Sequence, residues 1–442
     1  MWRFQMLKFH QIYLINEIPD IDYLGYQKNC QTSVPETISM LFRHFLKRLS
    51  ILKAGDVEVT LRMSFRSASK HGSLQSRMSI FFIIKACDRM ILDDLKTTIE
   101  KGVLNKFYNF ISVDNMDIPV DKLNEISVIT REENLIKPSV SNDLNYQVPS
   151  CYYSIEPFEP NESNFFMELD KTCDKIENEI VIIDVAVKPM EIKPLCVSHS
   201  KYLSILDGIN NTWGINNDEL SQVDYFDNTQ SLYSQKTDNV LNPLAVKDPV
   251  ADIIFSMQRR FHETLYNAHL AFNIRILSET PQVNSLITSC VANSAFQNGH
   301  YQSFSPVKGT KEFESVSSSA KHLYFYDIIF SKITSQTVEE SIYYNLGLLN
   351  QCATIEELSG IFKFPVAVCL NSPCCIRKNT DPLPVSNKTK TILLGTDAEI
   401  KDFPIELPLS FICKHIFISG MPGSGKTTAV QHLMLNLWEQ SI

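Results

Sequence analysis

The chain has 442 residues, 44% of them apolar and 21% charged, with a formal net charge of −9. These values exclude a fully disordered polymer and an all-over basic sleeve for nucleic acid, and they leave room for roughly two to four domains. Eleven cysteines, odd in number and unevenly spaced, fit reduced thiols better than a disulfide framework.

Cys369, Cys374 and Cys375 come closest to a metal cluster, but no further Cys or His stands at zinc-ligand spacing from them. The first twenty residues mix charge into their apolar positions and lack a secretory core. MSIFFII, from Met78 to Ile84, is far too short to cross a bilayer, so a cytoplasmic location is expected.

Helical periodicity begins at SVPETISMLFRHFLKRLSIL. Ser33 suits an N-cap, Pro35 a first turn and Glu36 the far end of a capping box, while Ile38, Leu41, Phe42, Phe45 and Leu49 share one face. DVEVTLRMSF from Asp56 and RMSIFFIIKAC from Arg77 read as two strands joined by a polar hairpin loop, with a helix starting near Leu92. From Pro138 to about Pro160 the sequence turns polar and irregular. NEIVIIDVAVKPMEI, from Asn178, reads as a strand, and residues 198–248 as a long loop or mobile insertion.

DPVADIIFSMQRRFHETLYN restores helical spacing, AHLAFNIRILSE reads as a strand and TPQVNSLITSCVANSAF as a helix. This order echoes the first 110 residues, which leaves an internal duplication open. FSPVKGTKEFESVSSSAKH reads as a loop, and Thr354 with Glu357 as a capping box opening a short helix. KTKTILLGTD is strand-like, and IELPLSFICKHIFISG leads into a glycine-rich loop.

That loop carries the chemistry. Gly420-Met421-Pro422-Gly423-Ser424-Gly425-Lys426-Thr427 satisfies G-x-x-x-x-G-K-[ST] in full. Glycines let successive N–H groups converge on phosphate oxygens. Lys426 is the expected charge on the β- and γ-phosphates, and the Thr427 hydroxyl the expected Mg²⁺ ligand, with Thr428 following. The cofactors implied are ATP and Mg²⁺, with Gly420, Pro422, Gly423, Ser424, Gly425, Lys426, Thr427 and Thr428 forming the cradle. His415–Ser419 reads as the strand before it. Val430, Leu433, Met434, Leu437 and Trp438 give the helix behind it an apolar face meant for a sheet.

Hydrolysis needs more: an acid on a neighbouring strand to hold Mg²⁺ through water, and a group that positions the attacking water. Those parts normally follow the loop, and 16 residues follow Lys426, enough for one helix. Asp184, at the end of the apolar run EIVIID, is the one candidate for a permuted order.

The lead-in PLSFICKHIFISGMPGSGKTT, with Lys414 and His415 before the strand, resembles the opening of the ATPase core in the HerA/FtsK superfamily of ring motors. That group includes the type IV secretion and conjugation ATPases. FNIRILSE with the following ANSAF, and TIEELSGIFKFPVA, resemble segments ahead of that core in long HerA-like proteins. The likeness covers about 390–442, and more faintly the chain back to about 250. It implies an ATP-driven, homo-hexameric DNA translocase or helicase. Only the phosphate-loop residues carry over, so the expected activity of this chain alone is weak nucleotide binding without ATPase turnover.

The expected fold is therefore α/β: an α+β N-terminal region, then the first strand, phosphate loop and helix of an incomplete RecA-like P-loop core. The expected domains are 1–137 (α+β), 138–248 (irregular, with the long polar loop), 249–385 (second α+β segment) and 386–442 (start of the ATPase core). Two other readings stay open: a non-catalytic assembly or regulatory module with a vestigial P-loop, and a permuted phosphotransferase using Asp184. Between Arg43 and Arg77 stand eight basic residues (Arg43, Lys47, Arg48, Lys53, Arg62, Arg66, Lys70, Arg77) against Asp56 and Glu58. This stretch is a candidate DNA contact through Arg62 and Arg66, and otherwise a solvated face.

Overall fold

Runs of alternating β-branched and aromatic residues in the first 110 positions favour strands that pack on both faces. In the computed structural model they form adjacent strands on one side of a ten-stranded sheet. The structure describes residues 7–19, 34–67, 77–102, 104–114, 116, 120–139, 151–160, 165–212, 248–296, 299–334, 340–366, 377–378, 391–396, 404–408, 418–419, 423 and 425–439. They fall into two compact units, Met1–Lys378 and Asn379–Ile442.

The first unit opens with β1 (Phe9–Pro19), α1 (Val34–Ser50), β2 (Val57–Arg66), β3 (Arg77–Ala86), α2 (Arg89–Glu100), α3 (Leu104–Phe107) and β4 (Asn109–Val113). Next come β5 (Glu125–Arg131), β6 (Glu133–Ile136), β7 (Tyr152–Ile155), α4 (Phe165–Asp174), β8 (Ile180–Pro189) and α5 (Ile192–Thr212). It continues with α6 (Pro249–Thr264), β9 (His269–Ser278), α7 (Pro281–Ala295), β10 (Tyr301–Phe304) and α8 (Lys311–His322). It ends with α9 (Glu340–Gly347), β11 (Cys352–Thr354), α10 (Ile355–Ile361) and β12 (Arg377–Lys378). The second unit holds β13 (Thr391–Thr396), β14 (Pro404–Pro408) and α11 (Lys426–Glu439).

The sheet runs β10-β5-β9-β8-β2-β3-β1-β12, with β11 added to β9 and β4 to β1. Its pairings are antiparallel except β1 with β12. The chain is thus mixed α/β with a mainly antiparallel sheet. β1–β5 come from residues 1–137, β8 from 138–248 and β9–β12 from 249–385, so those three spans contribute to one sheet.

Side chains alternate across each strand. Val59, Leu61, Met63 and Phe65 of β2 join Ile38, Phe42, Phe45 and Leu49 of α1, Leu92 and Leu95 of α2, Leu169 of α4 and Ile287 and Val291 of α7 in one core. Burial of each such large side chain is worth roughly 1.5–3 kcal/mol. On the opposite face α8 lays Phe313, Val316 and Ala320 over Val128, Ile182 and Leu277. A satellite core joins α5, α6 and α9 to β7.

The expected strands and helices between 34 and 296 are present, as is the capping box at α10. There Thr354 Oγ1 accepts from Glu357 N at 3.2 Å and Glu357 Oε2 accepts from Thr354 N at 2.9 Å. The stretch after Phe304, read from sequence as a loop, is corrected: it holds α8. Thr310 caps it by accepting from Phe313 N. Its i, i+3, i+7 stripe of Phe313, Val316 and Ala320 is short and diluted by serines, which hid the period. The irregular span 138–160 also contains β7, paired with β6. The expected long loop shrinks at its start, because α5 runs to Thr212. Its residues 213–247 lie outside the described residues, as do Ser33, the 68–76 hairpin loop, Cys369, Cys374, Cys375, Lys414 and His415. Among the described residues no helix is long and apolar enough to cross a membrane.

Candidate functional site

In the glycine-rich loop the two described glycines share one backbone conformation. Gly423 and Gly425 both adopt φ of 83°, the left-handed region that L side chains rarely enter. A Cβ at either would meet no heavy atom within 4 Å, so backbone conformation rather than crowding demands glycine there. α11 begins directly afterwards, at Lys426, and Ala429 N donates to Gly425 O at 2.9 Å to close its first turn. Lys426 is half-buried, while Thr427 and Thr428 are exposed. The first turn of this 14-residue helix carries no acidic residue, and its positive end favours an anion. Gly420, Met421, Pro422 and Ser424 lie outside the described residues, as do positions 415–417 of the expected strand; Ile418 and Ser419 belong to no strand.

α11 packs on β13, itself paired antiparallel with β14. The apolar face meant for a sheet is only partly covered. Leu433 and Leu437 are half-buried, whereas Val430, Met434 and Trp438 are exposed, Trp438 by 82%. Among the described residues no group of three or more His, Cys, Asp or Glu side chains is placed to hold a metal.

The structure gives Asp184 a different task from magnesium binding. Strand register sets Arg62 of β2 opposite Asp184 of β8, and Asp184 opposite Arg275 of β9. All three are fully buried. Arg62 Nε donates to Asp184 Oδ1 at 2.6 Å and Arg62 Nη2 to Oδ2 at 2.7 Å, while Arg275 Nε reaches Oδ2 at 2.7 Å. Burial pushes the Asp184 carboxyl up, but the two guanidinium groups outweigh it and hold the acid below its ordinary value. Both oxygens are committed, and no open side is left for a hydrated cation.

The arginines also fix α8. Arg62 Nη2 donates to Ala320 O at 2.6 Å, and Arg275 Nη1 to Ser319 Oγ at 2.8 Å and Tyr324 O at 2.7 Å. Lys85 Nζ adds a bond to His322 O. Leu323, at φ 60°, ends the helix in the left-handed conformation, and Tyr324 N donates to Ser319 O at 2.8 Å. Three cations thus meet the negative end of α8, where orphan carbonyls need donors. The sequence offered no sign of Arg275, because a lone arginine in the apolar run AFNIRIL looks like an exposed strand residue until a helix covers it.

The same geometry corrects the basic stretch. Arg62 points into the sheet's covered face and is unavailable to DNA. Arg66 is half-buried with an interaction of its own. Arg48 pairs with Asp94 and donates to Thr98 Oγ1 at 2.6 Å. Exposed positive charge remains at Arg43, Lys47 and Lys53, while Lys70 and the Arg77 side chain fall outside the described residues. Compared with protein-family models and with curated protein sequences, the chain matches none.

Proposed function

We propose that the chain binds the phosphates of a nucleotide, with ATP and Mg²⁺ as the natural pair, at the loop from Gly420 to Thr428. The observation that carries this reading is the conjunction of a full G-x-x-x-x-G-K-[ST] run with left-handed glycines at 423 and 425 and a helix starting at Lys426. In this reading N–H groups of the loop and the helix end hold the β-phosphate, Lys426 neutralises the terminal phosphates, and Thr427 supplies its hydroxyl to Mg²⁺. The HerA/FtsK-like lead-in favours setting that site in an ATP-driven DNA motor with a RecA-like core, working as a hexamer. DNA contact then falls to Arg43, Lys47 and Lys53, the exposed cations of the basic stretch.

The second reading, a non-catalytic assembly or regulatory module with a vestigial P-loop, draws on the carboxylate of Asp184, the one upstream candidate for the acid, being committed to two arginines. The test is equilibrium binding of a fluorescent ATP analogue with and without Mg²⁺, for the purified chain and for Lys426→Ala. Saturable, Mg²⁺-strengthened binding that falls at least tenfold in the variant is expected. Equal affinity in both proteins overturns the site. Lys426-dependent phosphate release would favour the motor over the non-catalytic module.

A further inference from the structure

Helices α5 and α6 pack against each other in the satellite core, and each contributes one histidine to their contact. His199 Nδ1 and His262 Nδ1 lie 3.0 Å apart, with ring planes 14° apart and centroids separated by 5.1 Å. With so short an Nδ1 separation and so long a centroid separation, the rings meet edge to edge.

The tautomers follow from the partners. Gln258 Nε2 donates to Tyr153 O at 3.2 Å, which leaves its Oε1 facing His199 Nε2 at 2.6 Å. That carbonyl can only accept, so His199 carries its proton on Nε2 and presents a bare Nδ1 lone pair. His262 Nδ1 must then be the donor, and its Nε2 accepts from Ser200 Oγ at 3.3 Å and Tyr266 OH at 3.4 Å. An imidazole whose far N–H is fixed on a carbonyl, leaving the other nitrogen bare, is oriented as metal-ligating histidines are.

We propose that His199 and His262 form a two-nitrogen site for a divalent transition ion of the Zn²⁺ or Ni²⁺ class, clasping α5 to α6. Two imidazole nitrogens at ordinary bond lengths on a tetrahedral ion stand about 3.3 Å apart, so the observed pair has to open by only a few tenths of an ångström, with each ring tilting off the common line. The proton on His262 Nδ1 moves to Nε2, where Ser200 Oγ and Tyr266 OH become its acceptors. No proton is released: the hydrogen bond between the two Nδ1 atoms gives way to two metal–nitrogen bonds, and the two hydroxyls turn from donors to acceptors. Burial keeps His199 neutral at ordinary pH and lowers His262 as well, so both nitrogens are available to an ion. His262 is half-buried and borders the exposed Tyr266, which gives an ion its entry, and water completes the coordination.

Nothing in the chain's local spacing points to this pair, since Cys196, His199 and His262 share no ligand motif and the two histidines are 63 residues apart. The test uses the whole chain with its cysteines alkylated, titrated calorimetrically with NiCl₂ at pH 7.5, and Cu²⁺ loading read by electron paramagnetic resonance. One ion per chain, a two-nitrogen hyperfine pattern and a Ni²⁺-dependent rise in the unfolding midpoint are expected. His262→Gln, on the half-exposed side, should weaken binding at least tenfold and abolish the rise. Should that variant misfold, Gln258→Met, which frees the His199 ring, should weaken binding severalfold. No binding below millimolar Ni²⁺, or wild-type affinity in the folded His262→Gln protein, overturns the proposal.

Discussion

Replacing Asp184 by asparagine tests the assignment of this residue to the fold. The carboxylate receives three hydrogen bonds of 2.6–2.7 Å from two buried arginines. An asparagine in its place would keep one acceptor oxygen, turn an NH₂ toward guanidinium donors and leave two buried cations without a counter-charge. Breaking a buried ion pair from one side costs about 3–5 kcal/mol, against a total stability of about 5–15 kcal/mol for a typical domain. Asp184→Asn should therefore lower the guanidinium midpoint sharply or prevent folding. Arg275→Met should cost less, because it leaves the bidentate Arg62–Asp184 pair in balance and removes a guanidinium whose buried Nη2 has no partner among the described residues. The triple change Arg62→Met, Asp184→Leu, Arg275→Met removes the whole buried triad and should lie within a few kcal/mol of the parent. Equilibrium unfolding followed by circular dichroism gives all three values. An Asp184→Asn protein within about 0.5 kcal/mol of wild type, the usual range of surface substitutions, would refute the reasoning and reopen a chemical role for Asp184.

Two further outcomes follow from packed groups. At Glu357, as at Asp184, burial raises the acid's pKa but a paired arginine, here Arg131, outweighs it; both acids therefore titrate below their ordinary values. Depressed acids contribute stability above the unfolded pKa of about 4, and that stability is lost as pH falls through the folded values. Glu133 works in the opposite sense, since burial raises it against the bonds from Gln302, Lys332, Ser331 and Tyr153. Acid unfolding of the wild type should therefore be steeper below pH 4 than that of the triple variant, and identical slopes would count against the ion-pair account. Gly360 in α10 has no room for a side chain: an added Cβ would lie 2.9 Å from Pro160 Cα and 3.0 Å from Ala295 O, both backbone atoms. Gly360→Ala should cost about 1–3 kcal/mol, read as a lowered thermal midpoint, and an unchanged midpoint would show that this contact yields.

Local signals did much of the work of defining this protein. The period of Ile38, Phe42, Phe45 and Leu49, the alternation in β2 and β3, the Thr354–Glu357 box and the glycines just ahead of α11 each depend on neighbours within a turn or a strand. They were legible because propensity, capping and glycine conformation act over a few residues. Gly423 and Gly425 belong here too, since a motif that needs φ near +80° states its requirement in its own letters.

Long-range pairing decided the rest. Arg62 and Asp184 are separated by 122 residues and Asp184 and Arg275 by 91, and each alone invited a surface or catalytic reading. Only strand register brought them into one row, and only α8, whose weak stripe reads as a loop, removed that row from water. Burial changes what a charge is for: under a helix end it must be paired, and a paired carboxylate has no oxygen left for chemistry. The sequence alone determined where left-handed glycines run into a helix start, because that geometry is local. Which charged residues serve the fold was decided by the tertiary structure, because desolvation is a property of everything packed around a group.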